Sequence, residues 1–388
     1  MSLSRDKRSR LADWWWTVDR VALFATFGLI AIGLILAFAA SPAATAHNSL
    51  EAGNFRFAAK QILFAVVAGM IMAGGSLLTP RDLKKAAVIA FVLALTGAAL
   101  VLVTGVEVLG ARRWIGLGWI TIQPSEFLKP SFAVLCAAVL AGKSQGGMRK
   151  ELISFLLVLL PLALLILEPD VGQTGLMLAL WGAMLFLDGV SVVWIGMITG
   201  VGTALGALAY LFVPHVHHRI EQFLGGGKPG YQSGLAMKAF EHGGLAGVGP
   251  GAGTIKYHLP YAHSDFIFAV AGEEFGLVLC GAIASLFCLL SVRLLLRAAA
   301  AKDKFSQLAG AGLALIVALQ AFINMGVAVN LLPAKGMTLP FISYGGSSLF
   351  AVAVTMAFAL AITRQRPTVT RLSERDTNLL FGIGEARA

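Results

Sequence analysis

Long apolar segments recur along the chain, and short polar connections separate them. Residues 86–104 and 152–167 carry no charged side chain at all. A helix needs about 20 mainly apolar residues to cross the roughly 30 Å hydrocarbon core of a bilayer. Ten segments fit this length and composition: 21–41, 61–79, 86–104, 127–142, 152–168, 174–188, 190–213, 273–292, 307–330 and 348–363. We therefore predict an all-α, polytopic membrane protein with about ten transmembrane helices.

The composition excludes the other broad classes. Of 388 residues, 57% are apolar and 13% are charged, against about 25% charged in a typical soluble protein. The mean hydropathy is +0.81. Such a chain is neither a soluble enzyme nor a disordered protein, and its three cysteines, all inside apolar runs, do not suggest a disulfide scaffold.

Lysine and arginine predict the orientation, because these residues are enriched in cytoplasmic loops. With the N-terminus inside, 20 of the 30 Lys and Arg residues lie on the cytoplasmic side. Both termini are then cytoplasmic. We predict a basic N-terminal segment at 1–20, a transmembrane domain at 21–364 and a tail at 365–388, with both terminal segments poorly ordered. We take the first span to be retained, although a cleaved signal peptide remains the alternative.

This orientation also explains the net charge of +10. The excess of basic residues reflects topology and attraction to anionic membrane lipid, so we expect no nucleic-acid partner. Irregular sequence collects outside, in 105–126, in a large loop at 214–264 between spans 7 and 8, and in 331–347. No P-loop motif occurs and the cytoplasmic loops are short, so we expect chemistry at the outer face without ATP.

The first external segment carries paired arginines, Arg112 and Arg113, before a helix that begins near Pro124. Ser125 or Glu126 is a candidate N-cap, and Pro124 suits a first helical turn. Glu126 and Lys129 are three residues apart, so they share a helical face and can form an ion pair. Two interpretations stay open: a capped helix start, or a site where the arginines and Lys129 hold a diphosphate.

Residues 168–174 form a tight turn between two predicted spans and contain Glu168 and Asp170. Two acids at a membrane boundary are costly unless they are solvated or paired. Asp170 as the cap of the next helix is the simpler interpretation.

The long loop holds three histidines within 215–218, a glycine-rich tract at 243–253, and Gln232 and Ser233. We take Gln232 and Ser233 as candidate substrate-binding residues, since glycine-rich backbone beside them could line a polar ligand. The histidines lack an acidic or cysteine partner at a useful spacing. We therefore predict no metal site there.

Asp265 stands where this loop meets an apolar helix. It is either an N-cap or a general base at the membrane surface. Glu273 and Glu274 lie about 12–14 Å further along a straight helix. We expect them to serve helix packing or a polar interior of their own, without pairing with Asp265.

The last external segment, 331–347, contains two prolines, three glycines and several hydroxyl side chains. Irregular backbone at membrane depth cannot face lipid, because its polar groups would go unpaired. This segment, with Lys335 and Ser343, should therefore line a cavity.

Several of these segments match known motifs in order and spacing. They read GARRWIGLG at 110–118, EPDVGQT at 168–174, DFIFAVAGEEFG at 265–276 and LLPAKGMTLPFISYGGSS at 331–348. Over residues 15–365 the chain resembles the SEDS family (shape, elongation, division and sporulation). The last motif resembles the cell-division branch more than the elongation branch. Tyr261 departs from the acidic or polar residue of many members, and the two branches vary around Glu126.

The resemblance implies a peptidoglycan glycosyltransferase that polymerises lipid II with inversion, at the outer face of the cytoplasmic membrane and at the division site. It places Asp265 at the family's essential acidic position, proposed as the catalytic base. It places Arg112, Arg113, Glu126, Lys129, Lys335 and Ser343 at other motif positions.

The implied partners are lipid II, a class B penicillin-binding protein of the division type acting as monofunctional transpeptidase, other divisome membrane proteins and membrane lipid. One base and several cations suffice for such a reaction, because a lipid diphosphate is a good leaving group. The resemblance does not imply any particular cofactor, and assistance by Mg²⁺ or Mn²⁺ stays open.

Two alternatives remain at this point. A lipid II flippase would need polar groups along the whole crossing, whereas the unusual residues here gather at the outer surface. A non-catalytic divisome scaffold would only recruit the transpeptidase.

Overall fold

The computed structural model describes residues 10–45, 55–108, 111–118, 120–142, 149–191, 231–333 and 336–364, with scattered residues between 193 and 221. In chain order the helices are α1 (Arg10–Thr17), α2 (Arg20–Thr45), α3 (Arg56–Gly75), α4 (Pro80–Thr104), α5 (Pro124–Leu140), α6 (Lys150–Leu167), α7 (Val171–Asp188), α8 (Tyr231–Gly243), α9 (Ile267–Ala299), α10 (Lys304–Ala328) and α11 (Gly346–Thr363). A 3₁₀ turn lies at Ile255–Tyr257.

Eight of these helices are long and apolar enough to cross a membrane: α2, α3, α4, α6, α7, α9, α10 and α11. At 17 residues α5 is slightly shorter, and it is buried almost all round. The predicted seventh span, 190–213, lies in the part of the chain of which only scattered residues are described. The prediction of a polytopic, helical membrane protein is confirmed.

The core of the bundle is formed by α5, α10 and α11, which bury most of their surface against neighbouring helices. By contrast α3 and α4 expose large apolar side chains on one face, among them Met70 and Leu93. An apolar face of this kind on a membrane-spanning helix is suited to contact with lipid. The buried helices therefore hold the polar side chains described below away from the bilayer.

The chain divides into two compact units, residues 19–363 and a terminal unit of 1–18 with 364–388. In the terminal unit, residues 10–17 form α1, and Arg364 donates a hydrogen bond to the Thr17 hydroxyl at 2.6 Å. The expectation that 1–20 is poorly ordered is therefore wrong for 10–17. Residues 1–9 and 365–388 lie outside the described residues.

The external segment before α5 folds as a three-stranded antiparallel meander, which the all-helical prediction missed. Its strands are β1 (Val106–Val108), β2 (Ala111–Leu117) and β3 (Ile120–Ile122). The register pairs Glu107 with Arg112 and Ile115 with Ile122. β2 contacts α4 and α5, so the meander is fixed against the bundle.

Ion pairs tie helix ends together at the end opposite the meander. Asp19 before α2 accepts from Arg293 at 2.9 Å and Arg297 at 2.5 Å near the end of α9. Asp188, which ends α7, pairs with Lys150 at 2.5 Å and Lys304 at 2.6 Å, at the starts of α6 and α10. The distribution of lysine and arginine predicts that this end is cytoplasmic, and we call the two ends the cytoplasmic end and the external end.

Gly276 interrupts α9 with φ 75° and ψ −177°, a conformation open to glycine but not to L side chains. The kink takes the amides of Leu277 and Val278 out of the helix. They donate instead to the carbonyls of Gly244 and Leu245, at 3.0 and 3.3 Å. A Cβ at position 276 would overlap the Leu245 carbonyl oxygen and the Gly247 amide.

Gly276→Ala is expected to destabilise the protein by about 2 kcal/mol or more, because it adds backbone strain to a steric clash. Gly281→Ala on the same helix is the matched control, since a Cβ there meets nothing within 4 Å. That control should stabilise by up to about 1 kcal/mol. Thermal unfolding in detergent micelles measures both variants, and equal midpoints would contradict the packing described here.

Candidate active site

Four separate segments meet at the external end of the bundle. They are β2, the turn between α6 and α7, the turn before α9, and the segment between α10 and α11. The last two are the parts of the chain around Asp265 and Ser343. Sequence motifs that lie up to 230 residues apart therefore form one site.

Arg113 joins β2 to the turn between α6 and α7. Its Nε donates to the Glu168 carbonyl at 3.1 Å and its Nη2 to the Pro169 carbonyl at 2.5 Å, while Nη1 lies 3.9 Å from the Asp170 carboxylate. An arginine has five N–H donors. The side chain is 20% exposed, so it still reaches the solvent space of the site.

Two polar contacts join the starts of α5 and α7. Gln123 donates to the Asp170 carboxylate at 3.3 Å, and Gln173 donates to Glu126. Glu126 also accepts from Lys129 at 2.6 Å, and both side chains are almost completely buried. The predicted ion pair of Glu126 and Lys129 is confirmed.

Asp170 caps α7, as its position in the turn predicts, by accepting from the Gln173 amide at 3.2 Å. The other two cap predictions are wrong. The residue before α5 is Gln123, and neither Ser125 nor Glu126 caps that helix; α9 is preceded by Phe266, not by Asp265, and neither helix has a side-chain cap. Pro124 does occupy the first turn of α5.

The Asp265 carboxylate accepts no hydrogen bond among the described residues, although the side chain is only partly exposed. Loss of surrounding water raises its pKa to about 6; the negative charge of Asp170 adds to the shift and Arg113 opposes it. Its Oδ2 lies 3.4 Å from where a Cβ at Gly336 would stand. A carboxylate that accepts no hydrogen bond and has a pKa close to neutral pH is suited to take up a proton.

The backbone around Asp265 is held by three consecutive carbonyls. His263 O accepts from the Tyr344 amide at 3.0 Å, Ser264 O from the Ser343 hydroxyl at 2.6 Å, and Asp265 O from Asn324 Nδ2 at 2.9 Å. Asn324 Nδ2 also donates to Met337 O at 2.6 Å. The segment between α10 and α11 thus serves as the support of the Asp265 turn.

His263 packs in an aromatic cluster with Phe57 and Tyr344, whose ring centroids lie 5.2 and 5.7 Å from the imidazole. Burial lowers the pKa of His263 and raises that of Tyr344. The uncharged rings of His263 and Tyr344 stabilise the turn before α9 by packing. Asp265 is then the charged group of this turn.

Ser343→Ala is expected to destabilise the protein by about 1–3 kcal/mol, because the buried Leu339 amide loses its acceptor at 2.7 Å and Ser264 O its donor. The matched control is Ser131→Ala. That buried hydroxyl donates to carbonyls of its own helix, the Phe127 one at 2.7 Å, so its loss leaves no backbone amide without an acceptor and should cost less than Ser343→Ala does. Thermal unfolding of both variants tests this. A Ser343→Ala midpoint equal to that of wild type would show that the Ser343 hydroxyl does not stabilise the turn that carries Asp265.

The remaining predicted site residues lie elsewhere. Arg112 points away from Arg113 on the strand, is half exposed and pairs with Glu107 at 3.5 Å. Gln232 and Ser233 lie on α8, which packs on α9, and among the described residues no hydrogen bond or ion pair joins them to Arg113 or Asp265. Lys335 lies outside the described residues, although its neighbour Gly336 adjoins Asp265.

A second polar cluster, built on Lys256, was missed by the sequence analysis. Lys256 Nζ is completely buried and donates to Glu274 and to Ala39 O, the latter at 2.8 Å. Glu273 accepts from the amides of 254–256 at 2.7, 2.7 and 3.0 Å. The expectation that Glu273 and Glu274 form a polar interior of their own is confirmed, and this interior anchors the loop to α9 and α2.

Within the described ranges, no group of three or more His, Cys, Asp or Glu side chains is arranged to hold a metal ion. The histidines at 215–218 lie mostly outside those ranges.

The sequence matches the family model for FtsW, RodA and SpoVE, described as cell cycle proteins, over residues 20–368. A protein of Caulobacter vibrioides named as a probable peptidoglycan glycosyltransferase FtsW is 41% identical over 390 residues, which cover 100% of this chain and 98% of that one. An Allochromatium vinosum protein of the same name is 40% identical over 278 residues, covering 68% and 69% of the two chains.

Solved structures share the fold. A chain from a peptidoglycan synthase complex, described as coordinating polymerization and crosslinking, superposes with a TM-score of 0.73 at 27% identity, covering 89% of this chain and 97% of that one. The rod shape determining protein RodA of Thermus thermophilus superposes with a TM-score of 0.67 at 26% identity, covering 91% and 99%.

Proposed function

The chain belongs to the FtsW, RodA and SpoVE family of cell cycle proteins, the SEDS family, and from this premise we propose that it is a peptidoglycan glycosyltransferase that polymerises lipid II during cell division. The observation that carries the mechanism is the Asp265 carboxylate, which lacks donors among the described residues and has a pKa raised to about 6. At neutral pH such a group is ionised and still basic enough to take a proton.

In the proposed reaction, Asp265 removes the proton from the hydroxyl of one glycan as its oxygen attacks the anomeric carbon of the other. The bond from that carbon to the lipid diphosphate breaks, and undecaprenyl diphosphate leaves. One displacement converts an α-linked donor into a β-linked product, so no covalent enzyme intermediate is needed. This differs from glycoside hydrolysis, in which a poor leaving group demands an acid as well as a base.

Arg113 is the cation best placed to stabilise the departing diphosphate. It lies close enough to Asp265 to lower the pKa of that carboxyl, and it retains exposed surface beside the turn between α6 and α7. Guanidinium groups bind phosphate through parallel N–H donors. Lys335 is proposed as a second cation because Gly336 beside it adjoins Asp265.

Lys129 and Glu126 have a different place in the proposal. Lys129 is committed to Glu126 at 2.6 Å and is almost completely buried, so it would have to leave a buried carboxylate in order to reach substrate. We propose that the pair holds α5 against α7 beneath the site.

The distribution of buried charge supports an enzyme over a flippase. In the described part of the chain, buried charged residues lie near the two ends of the bundle. Asp19 and the side chain of Asp188 are at the cytoplasmic end; the others are at the external end: Glu126, Lys129, Glu168, Asp170, Lys256, Glu273 and Glu274. A path for a charged headgroup would also need charged side chains between these two levels, where the described residues bury only uncharged polar ones such as Gln320 and Thr355.

We further propose that the protein acts in the cytoplasmic membrane at the division site, beside a class B penicillin-binding protein that crosslinks the new strands and other divisome membrane proteins. The structural likeness to a chain from a peptidoglycan synthase complex supports this partnership. A divalent cation that assists the diphosphate is compatible with the proposal.

The test is polymerisation of purified lipid II by the full chain in detergent or liposomes, with and without the cognate transpeptidase. We expect long glycan strands whose yield increases when the partner is present. A parallel reaction with a metal chelator measures any need for Mg²⁺ or Mn²⁺. Movement of lipid II across the liposome bilayer without strand formation would favour the flippase instead.

A further inference from the structure

One face of α3 carries side chains that contact the support of Asp265. Phe57, Gln61 and Phe64 follow one another at intervals of four and three residues, so they lie on the same face of the helix. The opposite face is apolar and exposed, and it includes Met70. Gln61 is the polar member of the first face. Its exposed fraction is 1%, and the proposed reaction assigns it no task.

Gln61 reaches the segment between α10 and α11 through a hydrogen bond. Its Nε2 donates to the Ser343 carbonyl at 3.2 Å, between residues 282 positions apart in the chain. The Ser343 hydroxyl in turn donates to Ser264 O at 2.6 Å, directly before Asp265. Two hydrogen bonds therefore connect a side chain on α3 with the turn that carries the carboxylate. A buried amide keeps such a bond, because the alternative is an unpaired polar group.

The two aromatic side chains on this face of α3 contact both parts that the hydrogen bonds connect. Phe57 packs on His263 of the turn before α9, with ring centroids 5.2 Å apart, and on Tyr344 of the supporting segment, at 4.9 Å. Phe64 contacts the Tyr344 ring at 6.2 Å. This face of α3 thus fixes the turn and its support relative to each other.

A second helix, α2, limits the position of the support. Gly33 lies so close to it that a Cβ there would stand 2.7 Å from the Phe341 carbonyl oxygen and 2.8 Å from the Ile342 Cα. Phe341 is buried and has φ 65°, in the left-handed region that L side chains rarely adopt. Such a conformation persists only where the surrounding structure over-determines it, and it is common at active sites. The contacts with α2 and α3 supply that constraint.

The charged groups that face Asp265 are held by other elements. Arg113 on β2 and Asp170 in the turn between α6 and α7 both act on its carboxyl group, and the rings of His263 and Tyr344 beside it are uncharged. Arg113 takes its position from the carbonyls of the turn between α6 and α7. A change on α3 therefore affects the position of the base and leaves the contacts of this cation intact.

We propose that Gln61 is a positioning residue for glycosyl transfer, and that its bond to Ser343 O holds the Asp265 carboxylate where it meets the attacking hydroxyl. This inference rests on the proposed glycosyltransferase function and adds a residue from α3, which lies outside the motifs that carry the family resemblance. Gln61 touches no substrate and acts through Ser343 and Ser264. Because a displacement of about 1 Å can lower a rate by about 100-fold, a helix that fixes the base contributes to the rate.

The test is Gln61→Met, which keeps the length of the side chain and removes the donor to Ser343 O. The assay is lipid II polymerisation by the full chain with its transpeptidase partner. The kcat should fall about 10-fold or more, whereas KM for lipid II should stay within about twofold, since the contacts of Arg113 are unchanged. Each variant is assayed well below its thermal unfolding midpoint, and rates are expressed per folded protein.

The pH profile separates positioning from a purely structural role. The acid limb of wild type should lie at about 6, because loss of surrounding water raises the pKa of Asp265 to that value. A turn that leaves its enclosed position regains water. In Gln61→Met the acid limb should therefore move towards the ordinary pKa of this side chain, 3.8. A smaller amount of folded protein would lower the rate at every pH and leave the limb in place.

Thr355→Val on α11 is the matched control. The buried Thr355 hydroxyl donates to Ala351 O of its own helix at 2.9 Å, so its removal should leave rate and profile unchanged. A folded Gln61→Met protein with the kcat and acid limb of wild type would overturn the proposal, and so would a lower rate with an unmoved limb. In both cases the proposed function stands if wild type polymerises lipid II; a wild type that does not polymerise refutes the function itself.

A second measurement does not require turnover. Infrared difference spectra between wild type and Asp265→Asn follow the titration of the Asp265 carboxyl group, whose pKa should be about 6 in wild type and lower in Gln61→Met. Where Gln61→Met does not fold, Phe57→Leu replaces it, because it weakens the ring contacts with His263 and Tyr344. The acid limb and the pKa should then move in the same direction. Equal pKa values in wild type and the folded variant would contradict the positioning role whatever the rates.

Discussion

Asp265→Asn should abolish glycan polymerisation while leaving the protein folded in the membrane. A lost general base lowers the rate by about 10²–10⁴-fold, and asparagine keeps the shape of the side chain. Folding should survive, because in the described structure the carboxylate takes no hydrogen bond, whereas the turn is held through its backbone carbonyl by Asn324. The measurement is lipid II polymerisation by purified variant with its transpeptidase partner, beside thermal unfolding of the same sample.

Glu241→Gln is the control for this variant, since it removes an exposed carboxylate on α8 at the same end of the molecule. It should behave as wild type in both measurements. Glycan strands of normal length and yield from Asp265→Asn would end the assignment of Asp265 as the base. Retained binding of the transpeptidase by an inactive Asp265→Asn protein would separate catalysis from any scaffolding role.

The second large effect is expected for Lys129→Met, which leaves Glu126 charged and buried without its partner at 2.6 Å. Breaking a buried ion pair on one side costs about 3–5 kcal/mol, because the remaining charge is uncompensated. The thermal unfolding midpoint should fall steeply, and expression with it. Lys238→Met, at an exposed position of α8, should leave the midpoint unchanged.

The double variant Glu126→Gln with Lys129→Met resolves what the pair does. Removing both charges should restore most of the stability, since Gln173 can still donate to the amide oxygen at position 126. If the pair only holds α5 against α7, polymerisation returns with the fold. A stable double variant that stays inactive would instead assign Lys129 to the diphosphate.

Much of the candidate site could be predicted from sequence because its contacts are local. The pairing of Glu126 with Lys129 follows from helical spacing, and the cap formed by Asp170 follows from its place before an apolar helix. The cap predictions at Ser125 and Asp265 failed for a related reason. Each helix begins one or two residues away from the expected position, and a cap depends on the exact first turn.

Sequence could not assign the two neighbouring arginines to different tasks. Arg112 and Arg113 look equivalent in a basic pair, but in a strand successive side chains point to opposite faces. The strand itself was missed, because seven residues between apolar helices give a weak signal. Only the pairing of β2 with β1 turns Arg112 towards Glu107 and Arg113 towards the 168–170 turn.

By itself, the sequence determined that this is a polytopic helical membrane protein with its irregular segments at one face. The length of each apolar segment and the charge of each loop can be read from the local sequence alone. It also determined the family through ordered motifs. The tertiary structure decided which polar groups share a site. The contact of Arg113 with the Glu168 carbonyl, the support of Asp265 by Asn324 and Ser343, and the contact of Lys256 with the Ala39 carbonyl all join residues distant in the chain. Such contacts depend on how helices pack, which no local pattern specifies.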